Sequence, residues 1–145
     1  MTSITYTRER VAELLAAAAE NDLVELADEC LSDGAQFAVL AAPEIGSIAA
    51  QVREPIMHHR FFLGDVLACR AEVSLDGTRG WAMRMGDNRV ATLAAAVCDA
   101  EVTAERPRAD RIRQLCARIE RDRELADRDE WAALAPTVVQ FEELT

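Results

Sequence analysis

The adjacent pair His58-His59, followed directly by Arg60, holds the residues best suited to move a proton and hold an anion in this chain. Imidazole titrates near neutral pH, and a guanidinium offers a planar fork of donors to a phosphate or carboxylate. The same three residues also describe an exposed loop with incidental histidines. Arg70 and Arg84 lie on the polar sides of two alternating segments. If those segments pair as a hairpin with both arginines on one face, they could clamp a phosphate or form a solvated, partner-facing surface. Glu44 and Asp65 flank turn-like sequence, as acids of a site or as acceptors for turn amides. No Ser–His–Asp set stands out, and the only histidines are one adjacent pair, so zinc is not expected.

Composition removes further chemistry. All 16 basic residues are arginine. Without lysine there is no Schiff base and no phosphate-loop lysine. Cys30, Cys69, Cys98 and Cys116 are far apart and fall on or beside apolar stripes, which reads as buried free thiols. A formal charge of −10 makes nucleic acid a poor partner. No apolar run reaches membrane-spanning length and the N-terminus lacks a signal-peptide layout, so a cytoplasmic protein is expected. At 145 residues, half of them hydrophobic, a single domain over 1–145 is the natural expectation.

These residues need elements to position them. Residues 1–34 read as a helical arm of two helices, the first capped by Thr7, with punctuation at Asn21 or Asp22 and a stop at Gly34. The arm holds eight acids against two arginines. Residues 35–104 read as a sheet-plus-helix core. Strands are predicted over 36–41 and 47–53, with Pro43-Glu44-Ile45-Gly46 turning the chain between them and a loop over 54–60. Leu67, Cys69, Ala71, Val73 and Leu75 alternate onto one face of the next strand, and Trp81, Met83 and Met85 onto one face of its successor. A two-residue Asp76-Gly77 turn would set these two apolar faces on opposite sides. A three-residue loop with a left-handed Gly77 joins them, placing Ala71 opposite Trp81 and Arg70 on the same face as Arg84. Asp87 or Asn88 caps the following helix, whose stripe is Val90, Leu93, Ala94 and Val97. Residues 105–145 read as a charged C-terminal helix and tail, with Val138-Val139-Gln140-Phe141 as a terminal strand docking on this sheet or on a partner.

The ordered set Glu44, Gly46, Arg60, Phe61, Gly64, Asp65, Arg70, Ala71, Val73, Asp76-Gly77, Gly80, Gly86 and Asp99-Ala100 resembles the PhnG subunit of the bacterial carbon–phosphorus lyase system. Two positions depart from that pattern. Residues 54–59 hold no glycine where the family is glycine-rich, and Asn88 stands where an aspartate is usual. The resemblance implies membership of a multisubunit complex with PhnH-, PhnI- and PhnJ-like proteins. It implies a supporting part, with a PhnL-like protein also involved, in displacing adenine from ATP by an alkylphosphonate. The product would be ribose 1-methylphosphonate 5-triphosphate, and the nucleosidase chemistry would belong to the PhnI-like subunit.

The sequence thus predicts an α+β protein: a helical N-terminal arm, a mostly antiparallel four-stranded sheet, and C-terminal helices with a terminal strand. Its expected function is that of an accessory subunit of phosphonate catabolism, without a cofactor or metal, in a homodimer or hetero-oligomer. The competing expectation is a free-standing small enzyme or anion-binding protein using His59, Arg60, Arg70 and Arg84.

Overall fold

The computed structural model describes residues 5–139. Four α-helices and three strands run in the order α1 (Arg8–Ala16), α2 (Glu20–Leu31), β1 (Phe37–Arg53), β2 (Arg60–Leu75), β3 (Thr78–Met85), α3 (Arg89–Thr103) and α4 (Ala109–Leu134). A 3-10 turn over Ala135–Thr137 follows. The strands form one antiparallel sheet in the order β1-β2-β3. The fold is therefore α+β with three strands among the described residues, not four.

Two expectations account for the difference. The predicted turn at Pro43–Gly46 is absent, and β1 runs unbroken for 17 residues. Between the pairs Ala41↔Glu72 and Glu44↔Arg70, Ala42 and Pro43 together face only Ala71. This is a β-bulge on an edge strand, where a proline lacking an N–H breaks no ladder bond. The terminal strand is also not found. Val138 and Val139 are exposed and outside any strand, and Gln140 and Phe141 lie outside the described residues.

The helical arm follows the sequence more closely. The Thr7 hydroxyl accepts from the Arg10 amide at 3.2 Å and caps α1. The break between the helices falls at 17–19, so Asn21 and Asp22 sit in the first turn of α2 rather than punctuating it. Tyr6 donates to Glu120 at 2.8 Å and Arg10 pairs with Glu120 at 2.6 Å, fastening the start of α1 to α4. From residue 121 on, α4 is exposed along its whole length.

Helix α3 is the centre of the molecule. It packs on β2 and β3 on one side and on α2 on the other, with α1 and α4 also touching it. Its caps agree with the sequence: the Asn88 side chain accepts from the Ala91 amide at 2.9 Å. Ala91, Ala94, Ala95, Ala96, Cys98 and Ala100 are all buried, whereas Val90, expected inside, is exposed. Small side chains let this helix lie very close to the sheet. A Cβ added at Gly80 would stand 2.0 Å from the Ala96 carbonyl oxygen and 2.7 Å from the Ala100 Cβ.

That approach corrects the hairpin register. Leu75 pairs with Thr78, Ser74 with Arg79 and Ala71 with Ala82; Trp81 stands opposite Glu72. The turn is the two-residue Asp76-Gly77 form, with φ of 46° and 82°, the pattern of a type I′ turn. The left-handed Gly77 was expected; the bulged loop was not. The prediction assumed that the largest apolar residues of β3 face the helices. The helices instead receive Gly80 and Ala82, beside Cys69, Ala71, Val73 and Leu75. Trp81 and Met85 lie on the outer face, 39% and 79% exposed.

Beyond β3 the sheet narrows. β3 pairs with β2 only as far as Met85↔Ala68, and Gly86 donates its amide to the Leu67 carbonyl at 2.8 Å. The outer ends of β1 and β2 continue alone, as a two-stranded ribbon closed by the loop 54–59.

Gly80→Ala should destabilise the fold by about 3 kcal/mol, because the Ala96 carbonyl belongs to a helix backbone and cannot step aside. Gly46→Ala is the control in the same sheet, since nothing lies within 4 Å of its would-be Cβ. Its change should stay within about 0.5 kcal/mol. Urea unfolding of the two variants, with equal costs as the contrary result, tests the close approach.

Candidate functional site

The ribbon end is organised by Glu54. Its carboxylate accepts from the amides of Ile56 (2.8 Å), Met57 and His59 (3.3 Å), and its own amide donates to the His59 carbonyl at 3.0 Å. Those amides, that of Ile56 first, hold the Glu54 carboxyl below the usual carboxylate range. His58 takes a left-handed conformation, φ 58°, to close the loop. His58, His59 and Arg60 are consequently together, as the sequence placed them, but on an exposed tip. Arg60 stands directly opposite Arg53 across the ribbon.

Arg70 and Arg84 do not join them, nor each other. Arg70 pairs with Met83 and Arg84 with Cys69, so the two guanidiniums leave opposite faces of the sheet. The shared polar face is lost with the bulged register. On the outer face Arg70 meets its cross-strand partner Glu44 at 3.3 Å. On the inner face Arg84 donates to the carbonyls of Leu15 (2.7 Å) and Ala18 (2.9 Å). It thereby joins the carbonyls around the end of α1, that of Leu15 also accepting from the Ala18 amide at 3.2 Å. Burial lowers the Arg84 pKa, opposed by the charge of Glu20, and among the described residues its Nε has no partner. Glu44 is thus an ion-pair partner and not a turn acceptor. Asp65 is an exposed strand residue opposite Ala49.

Of the positions that carried the resemblance, Asp99 has the clearest structural duty. It is 2% exposed. It accepts from Arg8 at 2.8 Å and from the Trp81 amide at 2.9 Å, while Arg8 also donates to the Arg79 carbonyl at 2.9 Å. One carboxylate thus joins α1, β3 and α3. Gly80 lies beside this junction. Gly64 faces Ala50 next to a register shift, Gly46 faces Ala68, Phe61 is exposed on the ribbon, and Gly86 closes β3.

A second buried acid escaped the sequence reading. Glu101, fully buried, accepts from Arg106 Nε at 2.8 Å and from the Arg108 amide at 3.0 Å. Arg106 also binds Asp33 at 2.8 Å and Asp76. Asp76 in turn accepts from the Gln36 amide at 2.7 Å. One guanidinium therefore ties the end of α2, the β2–β3 turn and the end of α3. The available signal was an acid inside a run of small buried residues, a few positions before an arginine.

The four cysteines are buried and free. Burial pushes Cys30 up to about 12 and Cys116 up to about 11, and raises Cys98 well above its ordinary value. Such thiols carry almost no thiolate at neutral pH and are poor nucleophiles. Among the described residues, no three His, Cys, Asp or Glu side chains are grouped so as to hold a metal ion, and no helix is long and apolar enough to cross a membrane. The outer sheet face leaves an open apolar groove of about 770 Å³ beside α1. Ala12, Ala16, Ile48, Val66, Trp81 and Met83 line it, with Glu9, Glu13 and Arg123 at its rim.

Two outcomes are expected from this geometry. Asp99→Ala strands the Trp81 amide and Arg8 together and should cost about 3 kcal/mol in urea unfolding; Arg8→Ala, which leaves the amide bond intact, should cost about 1 kcal/mol. Equal losses would mean that the ion pair, and not the amide, holds the junction. The second outcome is pH-dependent. Because the folded Glu54 carboxyl titrates below its unfolded value, its hold on the loop is complete at neutral pH and is lost as pH falls through that lowered value. Exchange protection of the Ile56 and Met57 amides, corrected for intrinsic rates, should vanish on acidification; in Glu54→Gln it should be weak at every pH.

Residues 6–145 match the family model described as Phosphonate metabolism protein PhnG. No curated protein matches the chain. The match covers α1 through the C-terminal tail, including the Asp99 junction, the Arg106 hub and the ribbon. The chain belongs to the PhnG family of phosphonate metabolism proteins.

Proposed function

We propose that this chain is an accessory subunit of a carbon–phosphorus lyase core complex in phosphonate catabolism. In that role it supports transfer of an alkylphosphonate to the ribose of ATP with release of adenine, giving ribose 1-methylphosphonate 5-triphosphate. Its partners are PhnH-, PhnI- and PhnJ-like subunits in a cytoplasmic assembly, and the reacting atoms are handled on the PhnI-like subunit. The observation that carries this reading is the family match over residues 6–145.

The geometry supports the same reading. Arg70 and Arg84, the residues first considered for an anion clamp, face opposite ways, and each is bonded within the fold. His58, His59 and Arg60 stand on an exposed tip, not in a cavity that could exclude water around a reacting phosphonate. The apolar outer face and the ribbon are suited to contact another protein. An accessory subunit of this kind contributes by holding catalytic groups of its partners in their working geometry.

Reconstitution tests the proposal. The purified chain, incubated with ATP and methylphosphonate, should release no adenine above background. A set of PhnI-, PhnH- and PhnL-like proteins should lose at least about tenfold in adenine release when this chain is left out. Steady adenine release by the chain alone, abolished by His59→Ala, would overturn the proposal in favour of a free-standing enzyme.

A further inference from the structure

We infer that the free end of the β1–β2 ribbon is an insertion arm, seated in an apolar groove of a different protein subunit whose rim supplies carboxylates to Arg53 and Arg60. The inference rests on the accessory-subunit reading and extends it, by assigning the docking surface and the chemistry of the site that receives it.

The first argument is mechanical. Among the described residues, the ribbon from Ile48 and Val66 outward has only its own two strands, over roughly 20 Å, and neither of its edges there is paired. A two-stranded ribbon is marginal in water by itself, and open edges are normally covered or blunted.

The second argument is the distribution of apolar side chains. Ile56, Met57, Phe61, Phe62 and Leu63 are all exposed, Phe62 by 59% and Leu63 by 65%. Phe61 and Phe62, paired with Val52 and Gln51, project to opposite sides, and Leu63 is the unpaired residue of the bulge before Gly64. A flat partner covering one side would leave apolar surface wet on the other. A groove covers both.

Charge supplies the third argument and names the rim. Arg53 and Arg60 are directly opposed, an arrangement that repels. The ribbon holds two acids: Glu54, whose carboxylate is taken up by loop amides, and Asp65 at its base, opposite Ala49 and four pairs from Arg53 and Arg60. Among the described residues, no carboxylate pairs with Arg53 or Arg60, in a chain of formal charge −10. A partner carboxylate reaching both guanidiniums removes the repulsion and fixes the register of docking. A second copy of this chain fits less well. Of the two acids beside its own apolar groove, Glu13 is already bound by Arg10 and Arg123, which leaves Glu9 alone to meet two guanidiniums.

The test uses the full chain co-expressed with PhnI-, PhnH- and PhnJ-like subunits and purified by a tag on this chain. Phe61→Ser with Phe62→Ser, and separately Arg53→Glu with Arg60→Glu, should each lower the recovered partner at least about tenfold. Both altered chains should melt close to the wild type when isolated, since all four side chains are exposed. Arg128→Glu, on the exposed end of α4, should retain the partner. Full recovery with both ribbon variants overturns the inference and leaves the accessory-subunit reading standing. If the wild-type chain recovers none of the three subunits, that reading falls and the inference with it. A dimer-to-monomer change in sedimentation of the isolated Phe61→Ser, Phe62→Ser chain overturns it in favour of a second copy. Normal assembly but lost ATP binding in the Arg53→Glu, Arg60→Glu complex overturns it in favour of a small-anion site.

Discussion

The contact on which the rest of the structure depends is that of Gly80 with the backbone of α3. A strand and a helix normally stand apart by the thickness of their side chains. Here the strand residue has none, and the space a Cβ would fill holds the Ala96 carbonyl. The neighbouring positions that face the helices, Ala82 on β3 and its partner Ala71 on β2, are small as well. It also brings the Trp81 amide to the Asp99 carboxylate at 2.9 Å. A buried carboxylate without donors would cost several kcal/mol, so the same close approach that excludes bulk makes Asp99 tolerable. Arg8 completes the arrangement from α1.

Choosing small residues for the inner face decides the character of the outer one. β3 still carries Trp81, Met83 and Met85, and the pleat sends them outward. With Ile48 and Val66 they make an apolar surface on the side of the sheet away from α3. α3 and α2 lie on the other side and α1 only borders this surface, so much of it, like the ribbon, is left without cover among the described residues. The tight core and the open face are two results of one packing choice. They also explain why a strongly acidic chain can keep an apolar, arginine-bearing extension: the acids concentrate on the helical body, away from it.

Much of the architecture was legible in the sequence, and the errors have definite physical origins. The helices, the Thr7 and Asn88 caps and the left-handed Gly77 followed from local chemistry that acts within a few residues. The hairpin register did not. Alternation gave two faces for β3 but not which one is inside, and size was the wrong criterion because the helix comes too close for large side chains. Pro43-Glu44-Ile45-Gly46 reads as a turn from its residue types, but a bulge on an edge strand admits the proline without a turn. Among the candidate residues, His58, His59 and Arg60 kept their company because they are neighbours in sequence. The Arg70–Arg84 pairing failed because it depended on the register. The Arg106 hub was missed because Asp33 and Asp76 come from elsewhere in the chain, and Glu101 because the buried acid and its arginine were not paired within one short stretch of sequence.

The arginines illustrate how one residue type takes opposite parts in the same fold. Arg106 meets three carboxylates and is mostly buried; its charge is matched locally, and its rigid fork organises three chain segments at once. Among the described residues Arg84 bonds to carbonyls, which suit a helix end, and its charge is offset through the nearby Glu20 rather than by a direct ion pair. Among the described residues, Arg53 and Arg60 meet neither, and they stand opposite each other across the ribbon. Within a single chain this last arrangement is unfavourable, and one substitution to glutamate would relieve it. Its presence at the end of an exposed apolar ribbon is consistent with a charge balance completed between chains rather than within one.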